Sequence, residues 1–247
     1  MASASVIDQT VIPSLHIAPT VADLKHSSNL YNQLPSDEVQ PALLPSHSQE
    51  VRNISIQHNV QHKFGIHLIH DHFEIPKDRD IIFESPSGCW TKPIPIEDVH
   101  TVNVYGHIFK LSTDGKLVAY EYREGSPTNV SEIDPSFFEE IFKFLLEHNL
   151  TDILGLQALG YEPILPMIEL VLGNVGTVML NEAQAQYGGI YRTTGWCIGR
   201  ESESQELQDG EKHPQTTRGN HLVFIHENPP SDIGELKSFL KKAEIIM

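Results

Sequence analysis

The chain has 247 residues, 39% hydrophobic and 20% charged, enough to bury a continuous core without disulfides or a structural metal. A formal charge of −16, with 17 Lys and Arg in no dense cluster, opposes binding to nucleic-acid phosphates and to anionic membrane surfaces. Cys89 and Cys197 cannot define a disulfide framework and are expected to be reduced; residues 1–6 carry no secretory signal and no stretch approaches the roughly 20 apolar residues of a membrane span, so a cytoplasmic location is expected.

Residues 1–50 are rich in Ser, Pro, Gln, Asn and His without a sustained hydrophobic period, and read as a flexible N-terminal arm. A short helix near residues 21–24 fits there, and isolated aliphatic spots could dock on the domain or on a second copy, giving a homo-oligomer through the arm. Residues 51–247 read as one domain. Residues 64–75 and 80–84 look like successive strands, closed by the turn chemistry of residues 85–88. Residues 90–96 carry Pro93 and Pro95 and are expected as an edge strand or an extended connection. Residues 102–111 and 116–123 flank Asp114-Gly115, a strong hairpin signal; alternation puts Tyr105, His107, Phe109 and Leu111 on one face, and Val118, Tyr120 and Tyr122 on one face of the second strand.

The best helix follows. Asp134 caps it, Pro135 takes its first position, and Phe138, Ile141, Phe142, Leu145 and Leu146 form a core-facing stripe. Short apolar segments then recur at residues 154–159, 168–172, 175–181, 191–198 and 221–226, two of them joined by a tight turn at Gly173-Asn174. Residues 199–219 are polar and acidic and read as a surface loop. Residues 231–243 form an amphipathic helix capped by Ser231, with Ile233, Leu236, Phe239 and Leu240 inward. The class is α+β: a mainly antiparallel sheet, one long helix across it and a C-terminal helix.

Chemistry concentrates in residues 63–75. If the strand continues through them, Phe64, Ile66, Leu68, His70, His72 and Glu74 share one face while His67 and Asp71 point the other way. Imidazoles at i and i+2 can reach one divalent transition-metal ion, with Glu74 supplying a carboxylate and His107, His221 or His226 a remote donor. Without a metal, His70 or His72 would act as general base; a third reading makes the histidines structural, hydrogen-bonded to backbone or to Asp71 and Glu74. The hydroxyls of Tyr105, Tyr120 and Tyr122 could orient a ligand, although such a patch also serves packing. Glu169 interrupts an aliphatic strand and points either into a cavity or, more simply, to solvent. Cys197 reads as a small core residue.

The spacing departs from the cupin pattern: Gly65 is one residue too close to His70, Glu74 follows His72 too soon, and no second motif is visible. The segment Ile69-His70-Asp71-His72-Phe73 resembles a group of uncharacterised fungal proteins with an apolar-x-His-x-His-Phe strand, a resemblance that implies no activity or cofactor. The expected function is a small-molecule enzyme with a histidine-centred site on the sheet, metal-dependent or using His as general acid/base. The alternative is a non-enzymatic ligand-binding or protein-interaction domain that uses the arm and the acidic loop.

Overall fold

The structure, a computed structural model, describes residues 11–75, 90–126, 130, 132–160, 166–183, 185–186, 188–198, 207–224 and 230–247, and the backbone of residues 81–84. Among these are ten strands: β1 (Phe64–Leu68), β2 (Ile81–Glu84), β3 (Trp90–Ile94), β4 (Val104–Leu111), β5 (Leu117–Glu124), β6 (Leu154–Ala158), β7 (Met167–Val171), β8 (Thr177–Asn181), β9 (Ile190–Ile198) and β10 (Leu207–Gln215). They close into a barrel in the order β1-β6-β4-β5-β2-β3-β8-β7-β10-β9. The sheet is mixed: β2 runs parallel to β5 and β7 to β10, while the other neighbours are antiparallel. Four α-helices accompany it, α1 (Val21–Tyr31), α2 (Pro45–Gln57), α3 (Pro135–Glu147) and α4 (Ile233–Lys242). α3 and α4 stand where helices were expected, and α1 and α2 join them, so several short helices rather than one long helix accompany the sheet. No helix among the described residues is long and apolar enough to cross a membrane.

Helices cover the outside of the barrel. Asp134 accepts from the Ser136 backbone N–H at 2.9 Å, Pro135 opens α3, and Phe137 stacks on Phe64 of β1 at 5.6 Å. Phe64, Ile66, Phe109 and Leu156 from the barrel wall share one core with Val51 and Ile54 of α2 and Phe137 and Ile141 of α3. A second core joins Ile168, Leu170 and Val178 to Leu236 and Leu240 of α4. Each such buried side chain stabilises by about 1.5–3 kcal/mol relative to exposure. With the outward faces committed to apolar packing, alternation leaves the inward faces to other residues.

Several expectations change. Residues 11–50 of the region read as an arm carry α1 and the first turns of α2, with Ile12, Leu15, Leu24 and Tyr31 buried; residues 1–10 lie outside the described part. In the acidic stretch, residues 199–206 are not described, but residues 207–215 form β10 and bury Glu211 and His213. β3 is no edge: it pairs with β2 and, through Trp90 and Thr91 alone, with β8. Pro93 lies beyond that short β8 contact, where its missing N–H interrupts nothing on that side. Asp232 rather than Ser231 caps α4, accepting from the Glu235 N–H at 2.9 Å, while Ser231 donates to the Glu235 carboxylate. The expected turn at residues 85–88 lies outside the described residues.

The seam is narrow. β1 meets β9 only through Ile66 opposite Trp196 and His67 opposite Gly195. Beside it, a Cβ added at Gly65 would lie 2.7 Å from the Trp196 carbonyl oxygen, closer than two such atoms approach. We expect Gly65→Ala to lower stability by about 1–3 kcal/mol in urea denaturation, by forcing the seam open. Gly188→Ala, which meets nothing within 4 Å, should stay within about 0.5 kcal/mol of the parent.

Candidate metal centre

β1 ends at Leu68, two residues short of His70, which an uninterrupted strand would have carried. Beyond it the chain bends to meet other partners: the Ile69 N–H donates to Ile153 O at 2.8 Å and the Asp71 N–H to Pro35 O at 3.0 Å. Strand alternation therefore lapses, and His67, His70 and His72 converge. The His67 and His70 rings stack at 5.3 Å and those of His70 and His72 meet edge-on at 4.7 Å. His67, set aside by the alternation argument, belongs to the cluster.

Two further histidines come from the last third of the barrel. His213 lies on β10, and His221 follows the turn after it, bridged to Gln215. Their rings are 4.7 Å and 5.5 Å from His70. Glu169, on the inward face of β7, places Oε2 3.2 Å from His72 Nε2 and 2.7 Å from His213 Nε2. One donor atom each from His70, His72 and His213 lies within 4.8 Å of the others, and the same holds for Asp37, His213 and His221. The chain is thus an α+β barrel protein with a buried histidine cluster that could hold a metal ion.

His70 Nδ1 lies 2.6 Å from the Leu68 carbonyl, which only accepts, so Nδ1 carries the proton and Nε2 a bare lone pair. That Nε2 has no hydrogen-bond partner, and the side chain is fully buried. Burial, then the neighbouring His72, His213, His67 and His221, hold its pKa well below the usual imidazole value. His72 Nε2 and His213 Nε2 lie at ion-pair distance from Glu169 but lack an aligned hydrogen bond to it. For His72, burial favours the neutral ring but the Glu169 charge outweighs it and raises the pKa to about 9. One carboxylate does not charge both rings, and His213 stays lowered by its burial. Burial likewise keeps His221 at about 2 and His107 at about 4.

A second polar group adjoins the first. His67 Nε2 is 3.1 Å from Glu211 Oε2, and Gln157 joins Glu211 Oε1 at 2.5 Å to His107 Nε2 at 3.3 Å. Glu211 would rise with burial, but the His67 contact holds it at about 2. Burial and then the Glu169 charge push Glu121 to about 7. The hydroxyl of Tyr120 is buried without a partner.

Residues 31–41 form a strap over the cluster. Tyr31 accepts from the His72 backbone N–H at 3.2 Å, and its hydroxyl lies 3.4 Å from His72 Nδ1. Asn32 pairs with Ile75, accepting its N–H at 2.8 Å. Asp37, in a 3-10 turn (Asp37–Val39), turns its carboxylate to His221 Nε2 at 3.3 Å, Gln215 Nε2 at 3.1 Å and Arg192 at 2.9 Å. Arg192 of β9 also donates to the carbonyls of Asp37, Gln40 and Pro41. Of three surface clefts, of about 530, 410 and 350 Å³, none is lined by the clustered histidines; the second is bordered by Leu68, Arg192 and, at the end of the strap, Pro41. The chemistry is enclosed, so cleft size does not locate it.

Among the residues singled out from sequence, His70 and His72 lie at the centre and His221 beside them. Glu74 is exposed and outside the donor set, because the chain has left the strand before reaching it. His107 sits in the adjoining group with Gln157, while Tyr105 is buried in the outer core among Phe109 and Leu111. The register of β4 with β5 shifts around residues 106–109, skipping His107 and Tyr120, which separates His107 from the face it was expected to share. His226 lies outside the described residues. Sequence reasoning missed His213, Asp37, Glu211 and Glu121 and favoured solvent over a cavity for Glu169; the local signals were Glu169 interrupting an aliphatic run and Glu211-x-His213-x-Gln215, an alternating set hidden in acidic surroundings. Comparison of the chain with family models, curated proteins and solved structures finds no match.

Cys197 plays no part. It is 2% exposed, and burial, reinforced by Glu211 and Asp209, pushes its thiol up to about 12. We expect peptide mapping after iodoacetamide treatment at pH 8 to find Cys197 unmodified in the native protein and fully alkylated in urea.

Proposed function

We propose that this protein is a metal-dependent small-molecule enzyme in which His70, His72 and His213 ligate one divalent transition-metal ion beside the carboxylate of Glu169. The bare, buried Nε2 of His70 carries the reading. A lone pair held there without a donor costs free energy unless something electron-poor completes it, and two more unaligned imidazole nitrogens face the same volume. Nitrogen-rich donors suit zinc or a neighbouring first-row ion rather than calcium or magnesium, which prefer oxygen cages. Such an ion, when bound, supplies Lewis acidity and a more acidic bound water.

The surrounding residues fit ligand support. The Leu68 carbonyl fixes the His70 tautomer, Tyr31 restrains His72, and His221 Nε2 contacts His213 Nδ1 at 2.8 Å. A purely structural ion needs no more than this. Here the same interior also holds the His67–Glu211 pair, Glu121 near neutrality and the partnerless Tyr120 hydroxyl, groups suited to moving protons on a small polar substrate. Those groups also support a second reading, metal-free acid–base catalysis.

Chelator-treated protein dialysed against Zn2+ should take up at least one tightly bound ion per chain, with a raised thermal midpoint. The His70→Gln/His72→Gln variant should bind the ion more than ~100-fold more weakly, since even outer-sphere changes cost 10–100-fold. Glu74→Gln should bind as the parent does. Parent protein that takes up no transition metal would overturn the metal reading and leave the metal-free one.

A further inference from the structure

The strap brings a carboxylate to the far side of the same cluster, and the arrangement there has its own donors. The two nitrogens of His213 face different groups: Nε2 lies 2.7 Å from Glu169, on the side of His70 and His72, and Nδ1 lies 2.8 Å from His221 Nε2. His221 Nε2 is in turn 3.3 Å from Asp37 Oδ2. Nothing in the first donor set requires Asp37 to be buried, yet it is 1% exposed and held by Arg192 through its other oxygen. The division of the carboxylate is the one expected of an oriented ligand, with one oxygen fixed by a guanidinium and the other turned to nitrogen donors.

We propose that the barrel holds two transition-metal ions, an inner one on His70, His72, His213 Nε2 and Glu169, and an outer one on His213 Nδ1, His221 and Asp37, with the His213 imidazole bridging them. This rests on the inner site proposed above. The bridging ring gives up its remaining N–H proton to solvent as the second ion binds, so Glu169, Asp37 and the bridging anion offset most of the added charge. The outer ion is the strap's only proposed link to a metal, because Asp37 belongs to residues 31–41 and none of the inner ligands does. Loading the outer position therefore fastens the strap over the inner one.

The test uses the full chain, stripped with chelator and equilibrated with Zn2+ or Cu2+ before metal analysis. The parent should hold two ions per chain, Asp37→Asn/His221→Gln one, and His70→Gln/His72→Gln no more than one. With Cu2+, magnetic coupling through the ring should reduce the paramagnetic resonance signal of the parent below that of two isolated ions, while Asp37→Asn/His221→Gln returns the full signal of one. A parent that binds a single ion, lost in His70→Gln/His72→Gln, would overturn the outer position and leave the inner site standing. A parent that binds none removes both. Two ions still bound by Asp37→Asn/His221→Gln would overturn the assignment of the outer ligands. A parent holding fewer than two ions overturns the outer position whatever the variants do, so a variant that loses its thermal transition does not rescue the proposal.

Discussion

Glu169 is buried between two imidazoles, and that placement constrains everything around it. An isolated carboxylate buried this way would take up a proton rather than stay charged. The contacts with His72 at 3.2 Å and His213 at 2.7 Å reverse that preference and hold it well below the usual range. The compensation is local and incomplete, since His70 adds a third imidazole with no proton to share. A polar interior of this kind persists only if the remaining stability comes from elsewhere, and here it comes from outside the barrel. Phe137 on Phe64, and Leu236 and Leu240 against Ile168 and Leu170, bury the apolar faces of the same strands whose inward faces carry the charges.

The strap follows from the same constraint. The end of β1 leaves backbone donors at Ile69 and Asp71 that must be satisfied in a buried setting. Ile153 and Pro35 accept them, and in doing so bring residues 31–41 over the imidazoles. Gln40 then donates to the carbonyls of Ile69 and Asp152, and Arg192 gathers three carbonyls of the strap into one guanidinium. The segment is compositionally polar because its polar groups are spent on closing the barrel end, with Tyr31 and Asp37 turned inward.

Local rules were legible in the sequence where one residue decides a conformation. Asp114-Gly115 specifies the β4–β5 turn, where Gly115 adopts φ 81°, and the apolar stripe after Pro135 specifies α3. Closure was not legible, because the β1–β9 seam consists of two residue pairs far apart in sequence and has no local signature. The site divides the same way. The spacing of His70 and His72 marks both as neighbours, but period-2 alternation applied beyond Leu68 excluded His67 and admitted Glu74, although the strand had already ended. In β4 a register shift rather than a strand end spoiled the alternation, moving His107 away from Tyr105. Glu169 read as a solvent-side residue because a strand's two faces are equivalent until the barrel defines an inside.

The wall and the cluster also explain why the donors come from such distant parts of the chain. In a closed barrel any inward residue faces the others across the lumen, whatever the sequence separation. β7 and β10 run parallel and are paired only at Met167–Glu211 and Ile168–Lys212, which sets Glu169 and His213 one step beyond the last pair on each strand. There the two strands are no longer held in register by backbone hydrogen bonds, and their inward side chains can converge at 2.7 Å. Pro214, following directly, keeps His213 extended and donates no N–H, so the parallel ladder does not propagate past the site. A short ladder and a proline thus place one carboxylate and one imidazole together, and the departing end of β1 supplies the other two rings.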